Sequence, residues 1–153
     1  MISTLISNHL ELDDELASWL IDTALFKSLA PGRSQSLRVW LETHAAPVYL
    51  STASLVEIEA AIAKASSIQI QKGAALRNWL EGLVSGYGDR IHPIDAKIAL
   101  RAGALLSHCK SGQPRHRFHD ALLVATAQVH GHGLLTKRDA VFGAWAKITI
   151  ATP

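Results

Sequence analysis

Short apolar runs alternate with longer segments of helical periodicity along this chain. A short apolar run bounded by polar turn residues is typical of a strand buried in a sheet. Such runs predict strands at Trp19–Ile21, Val48–Leu50, Arg90–Ile94, Gly133–Thr136 and Lys147–Ile150. Apolar residues at helical spacing predict helices between them, over about residues 23–29, 35–44, 53–64, 67–84, 96–108 and 118–130.

The alternation of strands and helices predicts βαβ units, in which the strands are parallel and the crossovers are right-handed. We therefore expect an α/β fold: a three-layer α/β/α sandwich around a four- to five-stranded parallel sheet. No linker or internal repeat interrupts the sequence. Residues 1–153 are thus expected to form a single domain, with a short N-terminal extension at residues 1–17.

Composition restricts the class of protein more than its function. The chain is 48% hydrophobic and 18% charged, which favours a globular domain over disorder. It shows no apolar run of membrane-spanning length, no evident signal peptide and a single cysteine, Cys109, so we expect a cytoplasmic protein without a membrane partner. The net charge is only +2, but residues 1–60 hold eight of the 13 acids and three of the 15 bases. The basic remainder either meets phosphates or is a solvated face.

Three carboxylates stand beside apolar sequence at predicted helix starts: Asp22, Glu57 and Asp120. Because the carboxyl ends of parallel strands share one edge of a sheet, the three can meet there. Clustered carboxylates repel one another, and a hard cation such as Mg²⁺ or Mn²⁺ compensates them. Each acid also has a purely structural interpretation. Asp22 fits a helix cap and Asp120 fits a position near a helix dipole, while Ser54 and Glu57 fit a capping box.

Sequence blocks around these acids carry a family resemblance. The blocks are Leu20–Thr23, Tyr49–Ile58, His119–Ala127, and Gly131–Thr136 with Phe142, and the loop Gly112–Pro114 precedes the third acid. In order and spacing they resemble PIN-domain ribonucleases, most closely the VapC-type toxins of bacterial toxin–antitoxin pairs. The resemblance covers about residues 19–150.

The resemblance implies a PIN-like fold and Mg²⁺- or Mn²⁺-dependent endoribonuclease activity on single-stranded or loop RNA. It also implies a homodimer and neutralisation by a small antitoxin protein, in a groove between helices 34–44 and 53–64. It assigns Asp22, Glu57 and Asp120 to the metal site. The hydroxyls of Thr23 and Thr136 are expected to support these acids.

Two positions differ from the family pattern. Ala24 stands where the family usually has asparagine, and Arg138 stands at the fourth acidic or amide position. We expect Asp139 to supply the fourth catalytic carboxylate, while Arg138 either contacts a phosphate or brings a positive charge to the metal site. The expected RNA-binding residues are Lys110, Arg115, Arg117, Lys137 and Arg138. Phe118 is either a platform for a base or, as the sequence favours, a core residue.

Two alternatives remain open. The altered positions 24 and 138 fit a catalytically weakened PIN-fold module that binds RNA or protein. His116 and His119 beside Asp120 fit a zinc site of the kind found in metal phosphohydrolases. Those enzymes are all-helical, so the predicted strands argue against the zinc interpretation.

Overall fold

Five short strands form one sheet in the computed structural model, which describes residues 18–33, 35–108, 116–143 and 147–153, apart from the side chains of residues 116 and 117. The strands are β1 (Trp19–Ile21), β2 (Val48–Ser51), β3 (Ile91–His92), β4 (Gly133–Leu135) and β5 (Ile150–Ala151). Their order across the sheet is β3-β2-β1-β4-β5, and every neighbouring pair is parallel. The predicted parallel sheet is therefore confirmed.

Helices cover both faces of this sheet. They are α1 (Thr23–Phe26), α2 (Ser36–Thr43), α3 (Thr52–Ile68), α4 (Ile70–Tyr87), α5 (Ala96–Ser107), α6 (His116–His130) and α7 (Asp139–Gly143). Because side chains alternate along a strand, Trp19 and Ile21 enter a core shared with α2, α3 and α4. Leu20 enters the opposite core, shared with α5, α6 and α7. This arrangement is the predicted three-layer α/β/α sandwich.

Most predicted elements are present with shifted ends. The turn between α3 and α4 lies at Gln69, whose extended backbone separates the two helices, and not near residue 66 as expected. The two helices pack closely at Gly73: a Cβ on this residue would lie 2.7 Å from the Cα of Ser66. Asp95 caps α5 as expected, accepting a hydrogen bond from the Ile98 N–H at 2.8 Å. No helix in the described part of the chain is long and apolar enough to cross a membrane.

A cluster of rings surrounds the start of β4. The His132 ring stacks on Tyr49, with 4.3 Å between centroids, and the His92 ring stacks on His130, with 3.6 Å between centroids. The Nε2 atoms of His92 and His132 lie 2.8 Å apart, and the Ser18 hydroxyl contacts His132 Nδ1. One Nε2 must donate and the other accept, so the imidazole that accepts this contact is uncharged.

Candidate active site

Asp22 and Asp120 meet beyond the carboxyl ends of the central strands. Asp22 directly follows β1, and its backbone N–H donates to the Leu135 carbonyl of β4 at 2.9 Å. The C-terminal end of α6 leads into the start of β4, which leaves Asp120 at the other end of the strands, beside Asp22. The two side chains are only 1% and 4% exposed. Carboxylates buried this deeply need a charge partner.

Arg138 is the partner of both carboxylates. Its Nε and Nη2 donate to Asp22 Oδ2 and Oδ1 at 3.1 and 3.2 Å, and Nη2 also donates to Asp120 Oδ1 at 2.6 Å. The guanidinium lies over the Phe142 ring, 4.7 Å from its centroid. Burial alone would lower the pKa of Arg138, but the hydrogen bonds from the guanidinium to Asp22 and Asp120 outweigh burial and raise it. The structure thus places Arg138 between the acids.

The Thr136 hydroxyl fixes the turn that carries Arg138. It donates to Asp22 Oδ2 at 2.8 Å and accepts the backbone N–H of Arg138 at 2.9 Å. Thr136 is fully buried at the end of β4. One hydroxyl therefore holds both the carboxylate and the backbone of the arginine that pairs with it.

Glu57 lines the same pocket with different partners. Its Oε1 accepts from Lys27 Nζ at 2.8 Å, and its Oε2 lies 3.1 Å from His119 Nε2. The same Nε2 contacts the Thr23 hydroxyl at 2.8 Å, which in turn contacts the Ser54 hydroxyl at 2.6 Å. Partial burial would raise the pKa of Glu57, but the hydrogen bond and charge of Lys27, with the charges of His119 and Arg138, lower it.

Helix capping and the helix dipole do not explain where the side chains of Asp22, Glu57 and Asp120 lie. Ser51 caps α3, accepting from the Ala53 N–H at 3.2 Å, so the capping box expected at Ser54 is wrong. Asp22 stands at the N-cap position of α1 but makes no side-chain capping bond. Asp120 lies beyond the first turn of α6. All three acidic side chains point instead to cationic partners.

The other predicted site residues are spread more widely. Asp139 is exposed at the start of α7, and Lys137 is exposed with its Nζ 2.8 Å from the Ser36 hydroxyl. Phe118 is 62% exposed, so the interpretation as a core residue is wrong. The remaining predicted basic residues and the loop before the third acid lie outside the described residues or have undescribed side chains: Lys110, Arg115, Arg117 and Gly112–Pro114.

Lys27, Ser54 and His119 contact pocket residues in ways that the sequence did not predict. Nothing in the sequence indicated the contacts of Lys27 and Ser54, because their partners lie about 30 positions away in the chain. His119 stood out only through its spacing from His116. Its contacts with Thr23 and Glu57 place it in the acidic pocket, whose volume is about 110 Å³. The side chain of His116 is outside the described residues.

The donor chemistry of this pocket fits a hard divalent cation, but its arrangement does not. Asp22 and Asp120 offer the carboxylate oxygens that Mg²⁺ and Mn²⁺ prefer. The Arg138 guanidinium contacts both of these carboxylates. Within the described ranges, no three His, Cys, Asp or Glu side chains converge to hold a metal ion.

The family model described as "PIN domain" matches residues 20–148. The chain belongs to the PIN domain family. The resemblance seen in the sequence is thus confirmed for most of the chain. PIN domains are generally nucleases that use divalent metals. No curated protein matches this sequence at a significant level.

Solved structures share the PIN fold at low sequence identity. FitAcB from Neisseria gonorrhoeae gives a TM-score of 0.71 at 23% identity, over 86% of this chain and 95% of that chain. DNA-bound VapBC from Salmonella typhimurium gives 0.69 at 16% identity, over 88% and 97%. VapBC2 from Rickettsia felis, bound to a promoter DNA fragment, gives 0.64 at 17% identity, over 88% and 98%. At these identities the likeness concerns the fold.

Proposed function

We propose that this PIN domain is a metal-dependent endoribonuclease toxin. The observation that carries the proposal is the meeting of two buried carboxylates, Asp22 and Asp120, at the carboxyl ends of β1 and β4. Glu57, on the rim of the same pocket, completes the acidic set. Asp22, Asp120 and Glu57 would hold Mg²⁺ or Mn²⁺, and such an ion would supply Lewis-acid stabilisation of a scissile phosphate and an activated water.

The chain's own side chains contribute charge and proton transfer. The half-exposed Glu57 carboxylate accepts a hydrogen bond from Lys27. The Lys27 side chain is itself 40% exposed, so its ammonium can also contact an approaching phosphate. His119 Nε2 lies 3.1 Å from Glu57 Oε2, so the imidazole is within reach to transfer a proton to or from the carboxylate. Thr23 fixes the direction of the imidazole through its contact with Nε2.

RNA reaches the pocket over basic and aromatic residues. Phe118 lies on α6 two residues before Asp120 and exposes its ring, which offers a stacking surface to an unpaired base. The proposed phosphate-binding residues are Lys137 with Lys110, Arg115, Arg117 and, once released from the acids, Arg138. A reducing cytoplasm, where such RNA is present, fits a chain with a single cysteine.

Cleavage assays with partner-free protein test this function. In Mg²⁺ or Mn²⁺ we expect the protein to cut single-stranded RNA. Asp22→Asn and Asp120→Asn should each lower the rate roughly 100-fold or more, because even outer partners of metal ligands change activity by about 10- to 100-fold. Asp89→Asn, an exposed acid in the 3₁₀ turn Gly88–Arg90, is the matched control and should keep wild-type activity.

Asp139 is assayed in the same experiment. We propose Asp139 as the fourth catalytic carboxylate, although its side chain is exposed. Asp139→Asn should then lower RNA cleavage. If the partner-free protein cuts no RNA in a broad panel with either metal, and Asp22→Asn leaves any effect on cell growth unchanged, the ribonuclease proposal is wrong.

An antitoxin is the proposed partner, since the solved structures with this fold include VapBC complexes, a family of toxin–antitoxin systems. A groove of about 200 Å³ beside the active site has an apolar floor, including Ile58, Ala61 and Trp79, and a basic rim of Lys27, Arg33 and Lys72. It runs between α3 and α4, whereas the sequence predicted α2 and α3. Its apolar floor and basic rim fit an acidic amphipathic segment. We further propose a homodimer.

A catalytically weakened PIN module is the second candidate. Arg138 occupies the acids, and Ala24 lines the pocket without a polar side-chain atom. Such a module would retain the groove and the RNA-binding residues while cutting RNA slowly or not at all. The cleavage assay separates the two candidates directly.

A further inference from the structure

The acidic pocket already contains a cation that belongs to the chain. Asp22 and Asp120 together carry two negative charges, and the guanidinium of Arg138 supplies one positive charge to both of them. A divalent ion would have to bind these same oxygen atoms. The carboxylate oxygens that such an ion would bind are therefore already paired with Arg138, which offsets one of the two negative charges.

We propose that Arg138 is an internal cation that closes the acidic site, so that a divalent metal binds only when the guanidinium has left Asp22 and Asp120. This inference rests on the proposed function, in which these two acids hold the metal. It makes metal loading a competition between an ion from solution and a side chain held at the site.

The surroundings of Arg138 allow such an exchange. Its backbone N–H is held by Thr136 at 2.9 Å, so the side chain can swing without moving the turn. The side chain is 33% exposed, whereas those of its two acidic partners are almost fully buried. The acids are therefore fixed by the fold while the arginine has a route to solvent. Guanidinium groups bind phosphate as well as carboxylate, so Arg138 also has a second class of acceptor.

Manganese binding, measured by the loss of the free Mn²⁺ electron paramagnetic resonance signal, tests the proposal without reference to activity. Arg138→Gln should bind Mn²⁺ more tightly than the wild type by roughly 5- to 150-fold, the range typical of coupled binding events. Lys137→Gln removes the same charge one residue away, from a side chain that contacts Ser36, and should leave Mn²⁺ affinity unchanged. Asp22→Asn in the Arg138→Gln background should remove the added affinity.

Arg138→Gln leaves two buried carboxylates without their counter-charge and is expected to fold less stably without metal. Its unfolding temperature should therefore rise with Mg²⁺ by more than that of the wild type. Arg138→Lys keeps a positive charge as a folded companion variant. Because an ammonium lacks the planar fork that spans two carboxylates, it should give an intermediate Mn²⁺ affinity.

Equal Mn²⁺ affinity in the wild type, Arg138→Gln and Arg138→Lys would overturn the proposal, as would equal tightening by Lys137→Gln. If these affinities are equal but the wild type cuts RNA with Mn²⁺, the inference fails and the ribonuclease function stands. If Arg138→Gln binds Mn²⁺ more tightly but no form cuts RNA, the inference stands and the proposed function fails.

Discussion

The stability of this protein should depend on pH through the ring cluster at the start of β4. His132 is 9% exposed, stacks on Tyr49 and contacts His92 through the two Nε2 atoms. Burial, followed by the charges of His92 and His130, lowers the pKa of His132 from 6.5 to about 4. Burial and the charge of His130 lower the pKa of His92 as well. Among the described residues, the titratable groups that face His132 are thus His92, His130 and Tyr49.

The direction of the effect follows from proton uptake on unfolding. The unfolded chain binds a proton at His132 near pH 6.5, whereas the folded chain does so only near pH 4, so falling pH favours unfolding. The stability that uncharged His132 contributes to the folded state is therefore complete above about pH 6.5, and it is lost as the pH falls towards 4. At about 1.4 kcal/mol for each pKa unit, the whole contribution of His132 is about 3 kcal/mol.

Urea unfolding between pH 7.5 and pH 5 measures this contribution of His132. The range stops at pH 5 because most carboxylates titrate below it. In His132→Gln the free energy of unfolding should fall less steeply with decreasing pH than in the wild type, whatever its value at pH 7.5. His108→Gln, at an exposed histidine that follows α5, should keep the wild-type slope. A wild-type slope in His132→Gln would refute the assignment.

Two further predictions concern α3 and α4. Gly73→Ala should destabilise the fold by about 1–3 kcal/mol, because the added methyl group meets the backbone of Ser66. Gly82→Ala in the same helix meets nothing within 4 Å and should instead stabilise it by roughly 0.5–1 kcal/mol. Urea unfolding measures both, and equal signs would contradict the packing argument. In the groove, Lys72→Glu should abolish co-purification with a small antitoxin encoded by an adjacent gene, while leaving RNA cleavage intact. Lys97→Glu, on α5, is the control and should still capture the antitoxin. Unchanged capture by Lys72→Glu would argue against this groove.

The fold was predictable because each strand carries its own local signal. Trp19–Ile21 is apolar throughout and is buried on both faces, as expected for a central parallel strand. The ends of elements were less predictable, since tertiary contacts decide them. The turn at Gln69 depends on how closely α4 approaches α3 at Gly73, and nothing within either helix reveals that distance.

The site was predictable only in part. Asp22, Glu57 and Asp120 follow from their places relative to strands and helices, and the structure brings all three to one pocket. The sequence left open whether Arg138 contacts a phosphate or brings its positive charge to the acids, and the structure has it on the acids. Its neighbour Asp139 has the charge expected at such a site, and the direction of the turn after Thr136 decides which of the two side chains faces the acids.

The bridge between Arg138 and the two acids also bears on how the protein is made. Because the guanidinium pairs with both Asp22 and Asp120 from within the chain, folding does not have to wait for a metal ion. A newly synthesised chain can therefore assemble its core with the acids already paired. Under the competition proposed above, such a chain binds no divalent ion at these two acids until the guanidinium has moved away.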